Sequence, residues 1–182
     1  MGARQVGKTT LIKQVCEKRE QVLWLDADDP ETLAIFDNPN SSRLRAVIGE
    51  HKILVLDEAQ RIKDIGIKLK LITDQISNIQ VIATGSSSFD LANEINEPLT
   101  GRKWEYQLFP LSFAEMKNHN GFLEEIKLLT QRLVFGYYPE VVTSEGKEQR
   151  VLREITNSYL YKDILKFDKI KKPDKIIKLL QA

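Results

Sequence analysis

Three short apolar runs, each ending in a polar residue, divide the first half of the chain. They lie at 22–25 before Asp26, at 53–56 before Asp57, and at 81–83 before Thr84. Runs of this length and continuity are typical of strands buried on both faces of a parallel sheet. The residues around them predict helices at about 8–17, 41–50 and 65–76. Strands that alternate with helices predict an α/β fold with a parallel sheet flanked by helices.

The pattern changes after residue 100. Trp104, Tyr106 and Leu108 alternate with polar neighbours, which predicts a strand over 103–109 with one face exposed. Ser112 followed three residues later by Glu115 is a capping-box pattern that predicts the start of a helix. Beyond about residue 122 the pattern predicts helices, with interruptions at 136–139 and 172–174. We therefore predict an α/β core over 1–118, and a helical lid with the start of a C-terminal region over 119–182.

Composition and charge describe an ordinary globular chain. Of 182 residues, 42% are hydrophobic and 29% are charged, and the formal net charge of +1 selects no class of partner. The single cysteine, Cys16, excludes an intrachain disulfide, and its helical position predicts core packing.

No apolar run reaches the ~18 residues of a membrane span, and no charged-then-apolar leader opens the chain. We expect no membrane segment and a cytoplasmic protein. The lysine-rich segment 162–178 is interpreted as a solvated helix surface or a nucleic-acid contact.

The first ten residues hold the most specific motif. The pattern G-x-x-x-x-G-K-[ST] is matched without a mismatch by Gly2-Ala3-Arg4-Gln5-Val6-Gly7-Lys8-Thr9-Thr10. Glycines at both ends let the backbone curl so that its N–H groups point at phosphate oxygens, and the following helix adds its positive dipole end. Lys8 is predicted to contact the β- and γ-phosphates, and the Thr9 hydroxyl to ligate Mg²⁺. Leu11, Ile12 and Val15 are expected to pack this helix on the sheet.

A buried strand normally precedes such a loop, and here only Met1 does so. That strand would lie in the middle of the sheet and direct the loop at the nucleotide. We therefore expect a chain that is truncated at its amino end, with poor nucleotide affinity despite an intact motif.

The second apolar run ends in two carboxylates, Asp57 and Glu58. In a parallel sheet this end lies beside the phosphate loop, where Asp57 could hold Mg²⁺ through water. Glu58 is placed to polarise an attacking water as a general base. A solvated acidic turn would have the same local sequence, but Lys8 lies 49 residues earlier (57 minus 8) and favours a nucleotide site. An adjacent glutamate favours attack by water over transfer to another substrate. Without an Asn-Lys-x-Asp guanine motif, adenine is the default base.

Two further residues are candidates for catalysis. Ser86 follows the third strand and could sense the γ-phosphate, or it could belong to a plain serine turn or helix cap. Arg102 precedes the predicted fourth strand and could act as an arginine finger in its own or a neighbouring subunit. Its alternative is a surface ion pair with Glu97 or Glu105.

Five motifs occur in one order along the chain: the phosphate loop, Leu56-Asp57-Glu58-Ala59-Gln60-Arg61-Ile62, Ala83-Thr84-Gly85-Ser86, Leu99-Thr100-Gly101-Arg102 and Phe109-Pro110-Leu111-Ser112-Phe113-Ala114-Glu115. Together they resemble a family of bacterial and archaeal AAA+-type ATPases, in which such a core is joined to a C-terminal domain of unknown function. Similarity to the same family continues in Gly136-Tyr137-Tyr138-Pro139-Glu140 and Tyr159-Leu160-Tyr161-Lys162-Asp163-Ile164.

The resemblance implies a five-stranded ASCE-type sheet, ATP and Mg²⁺ as ligands, and a helical lid. It implies that Ser86 matches the first sensor and that Arg102 falls near the arginine-finger position. By this comparison the chain stops at Ala182, about where the C-terminal domain begins, so we expect truncation at that end also. A DNA or protein partner bound through that domain, and assembly into a homo-oligomer, are compatible with the resemblance.

We interpret the sequence as that of a Mg²⁺-dependent ATPase whose hydrolysis drives a conformational switch of an appended domain. The alternatives are a nucleotide-gated DNA- or protein-binding module with little turnover, and an inactive fragment of such an ATPase. A helicase is disfavoured, because the interval from Lys8 to Asp57 is short and no second motor domain follows.

Overall fold

A computed structural model describes residues 1–86 and 99–157. These residues fall into two compact units, Met1–Phe109 and a second unit that starts at Pro110. The sequence also predicts a short helix near 89–93. This segment, the lysine-rich segment 162–178 and the interruption at 172–174 lie outside the described residues. Among residues that are described, no helix is long and apolar enough to cross a bilayer.

The first unit is built on a parallel sheet, as predicted. In the described part of this unit, three strands stand in the order β1 (Val22–Asp26), β2 (Ile53–Asp57) and β3 (Gln80–Ala83). The central strand β2 is enclosed on both faces, which explains its continuous apolar run. Asp26 pairs in register with Asp57, and Leu56 with Ala83. All three strands therefore end at the same edge of the sheet.

Helix α1 (Lys8–Cys16) precedes the first strand of this unit, and α2 (Pro30–Ile35), α3 (Ser41–Ile48) and α4 (Ile65–Gln75) lie between its strands. Side-chain caps begin two of them, because Asp29 accepts a hydrogen bond from Glu31 N and Asn40 accepts one from Arg43 N. One hydrophobic cluster joins β2 with α3 and α4 and contains, among others, Leu44, Ile48, Leu54, Leu56, Ile65, Leu69 and Ile72. This core holds the end of β2 rigidly at the sheet edge.

Helix α1 differs from its predicted packing. Leu11 and Val15 are exposed, so the expectation that they pack on the sheet is wrong. The helix instead buries Lys8 at its first position and Cys16 at its last. The prediction that Cys16 is a core residue is confirmed.

Residues 103–109 do not form the predicted strand. Their pairing is limited to one parallel bridge between Gly2 and Leu108, and Gly2 forms a second bridge with Ser86. Trp104 and Tyr106 are 88% and 78% exposed, so the alternating apolar positions do not enter the core. A ladder needs a neighbouring strand along its length, and the only bridge described for this segment is the one to Gly2. The resemblance implies five strands, and the described residues contain three.

The second unit is helical over its described residues. Its helices are α5 (Phe113–Asn120), α6 (Phe122–Lys127), α7 (Leu129–Phe135), α8 (Pro139–Thr143) and α9 (Glu148–Ile155). The predicted capping box is confirmed, because Ser112 Oγ accepts from Glu115 N while Glu115 Oε2 accepts from Ser112 N. Gly136 in a positive-φ conformation ends α7, and Pro139 begins α8, as the interruption in the sequence predicted.

A buried ionic cluster joins three parts of this helical unit. Glu125 on α6 is fully buried, and its carboxylate accepts hydrogen bonds from Arg132 Nε at 3.3 Å, Tyr137 Oη at 3.0 Å and Asn120 Nδ2 at 2.9 Å. Burial raises the pKa of Tyr137, and its hydrogen bond to Glu125 raises it further. Three partners satisfy the carboxylate, as a buried charge requires.

Candidate phosphate and metal site

The loop at residues 2–7 has the bends that its glycines predict. Gly7 takes the left-handed conformation, with φ 93° and ψ 18°, directly before the first residue of α1. A Cβ at Gly2 would lie 2.4 Å from the carbonyl oxygen of Leu108. The first glycine is therefore required by a close backbone approach, and the last by its dihedral angles. Gln5 between them also has a positive φ of 60°.

Lys8 is buried at the start of α1. Its Nζ donates hydrogen bonds to Gly2 O at 3.0 Å and Ala3 O at 2.8 Å, so the ammonium lies within the loop. Burial lowers the pKa of Lys8, and the nearby carboxylates of Glu58 and Asp57 act in the opposite direction. A buried cation beside a helix N-terminus suits an anionic ligand such as phosphate.

Thr9 and Asp57 form a direct link between the two motifs. Thr9 Oγ1 donates a hydrogen bond of 2.8 Å to Asp57 Oδ2, across the space between α1 and the end of β2. Both are oxygen ligands of the type that Mg²⁺ prefers. The described residues contain no group of three or more His, Cys, Asp or Glu that could hold a metal. A Mg²⁺ bound to phosphate and water takes only one or two protein ligands, so the pair fits this ion.

Glu58 lies in a tight turn directly after β2. It has φ 50° and ψ 37°, a left-handed conformation that is uncommon for a residue with a side chain. A 3₁₀ turn, Ala59–Arg61, follows and brings Gln60 back toward Glu58. Gln60 Nε2 donates to Glu58 Oε2 at 2.5 Å, and Gln60 Oε1 is buried without a hydrogen-bond partner among the described residues. The sequence pattern predicts no role for Gln60, because only the folded turn brings the two side chains together.

Two polar residues follow β3 on the same edge. Ser86 is buried and forms a β-bridge with Gly2, so it lies beside the loop at residues 2–7; its role as a sensor stays a prediction. Thr84, for which the sequence motifs predicted no role, donates a hydrogen bond from its hydroxyl to the carboxylate of Asp57. The sequence feature that could have identified Thr84 is its position as the polar residue directly after β3, the strand that pairs with β2.

Arg102 is not brought to this group of residues. Its guanidinium forms an ion pair with Asp74 in the last turn of α4. Since α4 returns from the end of β2 to the beginning of β3, Asp74 lies at the opposite edge of the sheet from Asp57. Of the partners expected for a surface ion pair, Glu105 pairs with Lys103 and Glu97 lies outside the described residues.

Comparisons with known proteins match both parts of the chain. A family model described as an AAA domain matches residues 1–117, and a model described as a domain of unknown function matches residues 126–182. An uncharacterized protein of Methanocaldococcus jannaschii is 26% identical over 181 residues, covering 90% of this chain and 41% of that protein. Uncharacterized proteins of Mycobacterium tuberculosis and Mycobacterium bovis are 32% identical over 102 residues, covering 56% of this chain and 22% of theirs.

The chain therefore spans less than half the length of the relatives that it matches. The AAA-domain match covers the phosphate loop of residues 2–9 together with Asp57 and Glu58. The chain belongs to the AAA-domain family, which indicates a nucleotide-binding, ATPase-like protein.

Proposed function

We propose that the chain binds ATP with Mg²⁺ and hydrolyses the γ-phosphate. The observation that carries this proposal is the 2.8 Å contact between Thr9 Oγ1 and Asp57 Oδ2, beside the buried ammonium of Lys8. Phosphate-binding backbone, a cation and two metal-ligand oxygens are the parts that phosphoryl transfer requires.

In the proposed mechanism, backbone N–H groups of the loop and Lys8 bind the phosphates. Thr9 and Asp57 would hold Mg²⁺, which when bound neutralises charge on the phosphate oxygens. Glu58 accepts a proton from the attacking water as a general base. Ser86 is proposed to orient groups near the γ-phosphate.

Glu58→Gln provides the sharpest test, because it keeps the shape of the side chain and removes the base. Phosphate release should fall by roughly 10²–10⁴-fold, while Mg-ATP should still raise the melting temperature. A ligand at 100-fold its dissociation constant adds about 2.7 kcal/mol to the free energy of unfolding. Lys8→Ala should abolish that shift. Turnover that Glu58→Gln leaves unchanged would reject the general-base mechanism, and a wild-type chain without any shift would reject nucleotide binding.

A second candidate is a nucleotide-gated binding module with little turnover. It is favoured by the contact between Gln60 Nε2 and Glu58 Oε2, which occupies an oxygen that the base would use. In that case Mg-ATP would stabilise the wild-type protein, but its phosphate release would equal that of Glu58→Gln.

For the longer relatives we propose that hydrolysis drives a conformational switch of an appended domain, through which DNA or a protein partner would bind. Limited proteolysis of such a relative with Mg-ADP and with a non-hydrolysable ATP analogue tests this switch. Identical cleavage patterns would argue against it.

A further inference from the structure

Thr84 makes four hydrogen bonds to the turn that carries Asp57 and Glu58. Its backbone N donates to Leu56 O at 2.9 Å, and its backbone O accepts from Ala59 N at 2.9 Å. Its hydroxyl donates to Asp57 Oδ1 and accepts from Glu58 N at 3.2 Å. Only 3% of its surface is exposed, and its backbone N–H, backbone carbonyl and hydroxyl all bond to residues 56–59.

The Thr84 hydroxyl binds one oxygen of the Asp57 carboxylate, while the other oxygen accepts from Thr9. Oδ1 accepts from Thr84 and from the backbone N of Glu58 at 3.1 Å, so this oxygen is held toward the turn. Oδ2 is thereby directed at Thr9 Oγ1, 2.8 Å away, in the space assigned to the metal. A carboxylate fixed through one oxygen presents the other in a single orientation, which is how outer partners tune a metal ligand.

The same hydroxyl supports the backbone of the base. Glu58 has a left-handed backbone, with φ 50° and ψ 37°, and such a conformation persists only when the surroundings hold it. The Glu58 N–H is shared between Thr84 Oγ1 and Asp57 Oδ1. The direction in which the turn presents Glu58 therefore depends on Thr84.

We infer that Thr84 is a positioning residue, whose hydroxyl orients Asp57 for Mg²⁺ and holds the Glu58 turn in its active conformation. The inference rests on the proposed function, because it assigns a role within the same site. It predicts that loss of the hydroxyl weakens metal binding and turnover, but leaves the phosphate loop intact.

Thr84→Val tests this inference, because valine keeps the shape and both backbone hydrogen bonds while removing the hydroxyl. The Mg²⁺ concentration at half-maximal turnover should rise about tenfold and kcat should fall by a similar factor, while the KM for ATP should change less than about threefold, since Lys8 is untouched. Thr84→Ser, which retains the hydroxyl, should recover both quantities to within about threefold of the wild-type values. Thr73→Val is the matched control, because the exposed Thr73 hydroxyl on α4 donates to Lys70 O within its own helix, and its loss should change neither quantity.

A melting experiment gives a second readout without turnover. A non-hydrolysable ATP analogue without Mg²⁺ should shift the melting temperature equally in the wild type and in Thr84→Val, and the further shift on adding Mg²⁺ should be smaller in the variant. An equal Mg²⁺-dependent shift in both proteins, or a serine variant as impaired as the valine one, would overturn the inference. A wild-type protein without any Mg²⁺-dependent shift would overturn the proposed function as well, so the two failures are distinguishable.

Discussion

Thr9 Oγ1 lies 2.8 Å from Asp57 Oδ2, although the two residues are 48 positions apart in sequence. The contact links the helix that follows the phosphate loop to the central strand of the sheet. If both side chains bind one Mg²⁺ ion, removing either should also remove most of the other's contribution to Mg²⁺ affinity.

A double-mutant cycle tests this coupling. Thr9→Val and Asp57→Asn should each raise the half-saturating Mg²⁺ concentration at least about tenfold, and the double variant should be far less impaired than the product of the two effects. Half-saturation is measured by phosphate release at saturating ATP. Strictly multiplicative effects would mean that the two residues act on separate features.

The left-handed backbone of Glu58 predicts an unusual order of stability among substitutions at this position. Glycine tolerates φ 50° at little cost and alanine does not, so Glu58→Gly should be more stable than Glu58→Ala by about 1 kcal/mol. Urea unfolding measures the difference. The control is Glu154 within α9, where alanine should be more stable than glycine by a similar amount. Equal stability of the two Glu58 variants would contradict the assigned conformation.

The capping box of α5 predicts a pH dependence of stability. The Ser112 hydroxyl and backbone N–H hold the pKa of Glu115 below its ordinary value of 4.5. A lowered pKa stabilises the folded state above pH 4.5, and this contribution is lost as the pH falls through the folded-state pKa. Glu115→Gln should therefore be less stable than the wild type at pH ~7, and the deficit should shrink on acidification to pH ~3. As a control, Ser112→Ala should move the pKa of Glu115 toward its ordinary value in an NMR titration. A deficit that grows on acidification would contradict this sign.

The buried Glu125–Arg132 pair predicts that a single substitution lowers the free energy of unfolding more than replacing both residues does. Arg132→Met leaves the fully buried carboxylate of Glu125 without its cation and should cost about 3–5 kcal/mol. Replacing both residues, as Glu125→Leu with Arg132→Met, should cost clearly less than Arg132→Met alone, because no charge stays buried. Thermal or urea unfolding measures both. A double variant less stable than Arg132→Met would show that the pair itself carries the stability.

The ion pair of Arg102 with Asp74 limits what Arg102 can do within one chain. If Arg102 acts as a finger, it must reach the site of a neighbouring subunit. Mixing Arg102→Ala with Glu58→Gln should then restore phosphate release above that of either variant alone, because an intact finger meets an intact base at some sites. Mixtures no more active than the average of the two would contradict action in trans.

The exposed ion pair between Arg102 and Asp74 should contribute less than about 1 kcal/mol to the free energy of unfolding, as Asp74→Asn would measure.

Local sequence determined much of this protein. Continuous apolar runs predicted β1, β2 and β3, although only β2 is buried on both faces, while the residues of β1 and β3 are at most partly buried. The spacing of Gly2, Gly7 and Lys8 predicted the bends of the loop at residues 2–7, and Ser112 with Glu115 predicted the start of α5. Each of these depends on dihedral preferences or hydrogen bonds within a few residues, which a sequence pattern can carry.

The tertiary structure alone decided how distant groups meet. Alternation at 103–109 did not yield a strand, because a ladder needs a neighbour along its length. The contact of Arg102 with Asp74, rather than with a residue near it in sequence, follows from the direction in which α4 returns across the sheet. Thr84 reaches Asp57 only because β3 pairs in register with β2. Hydrogen bonds between strands depend on pairing and register, and those are properties of the whole fold.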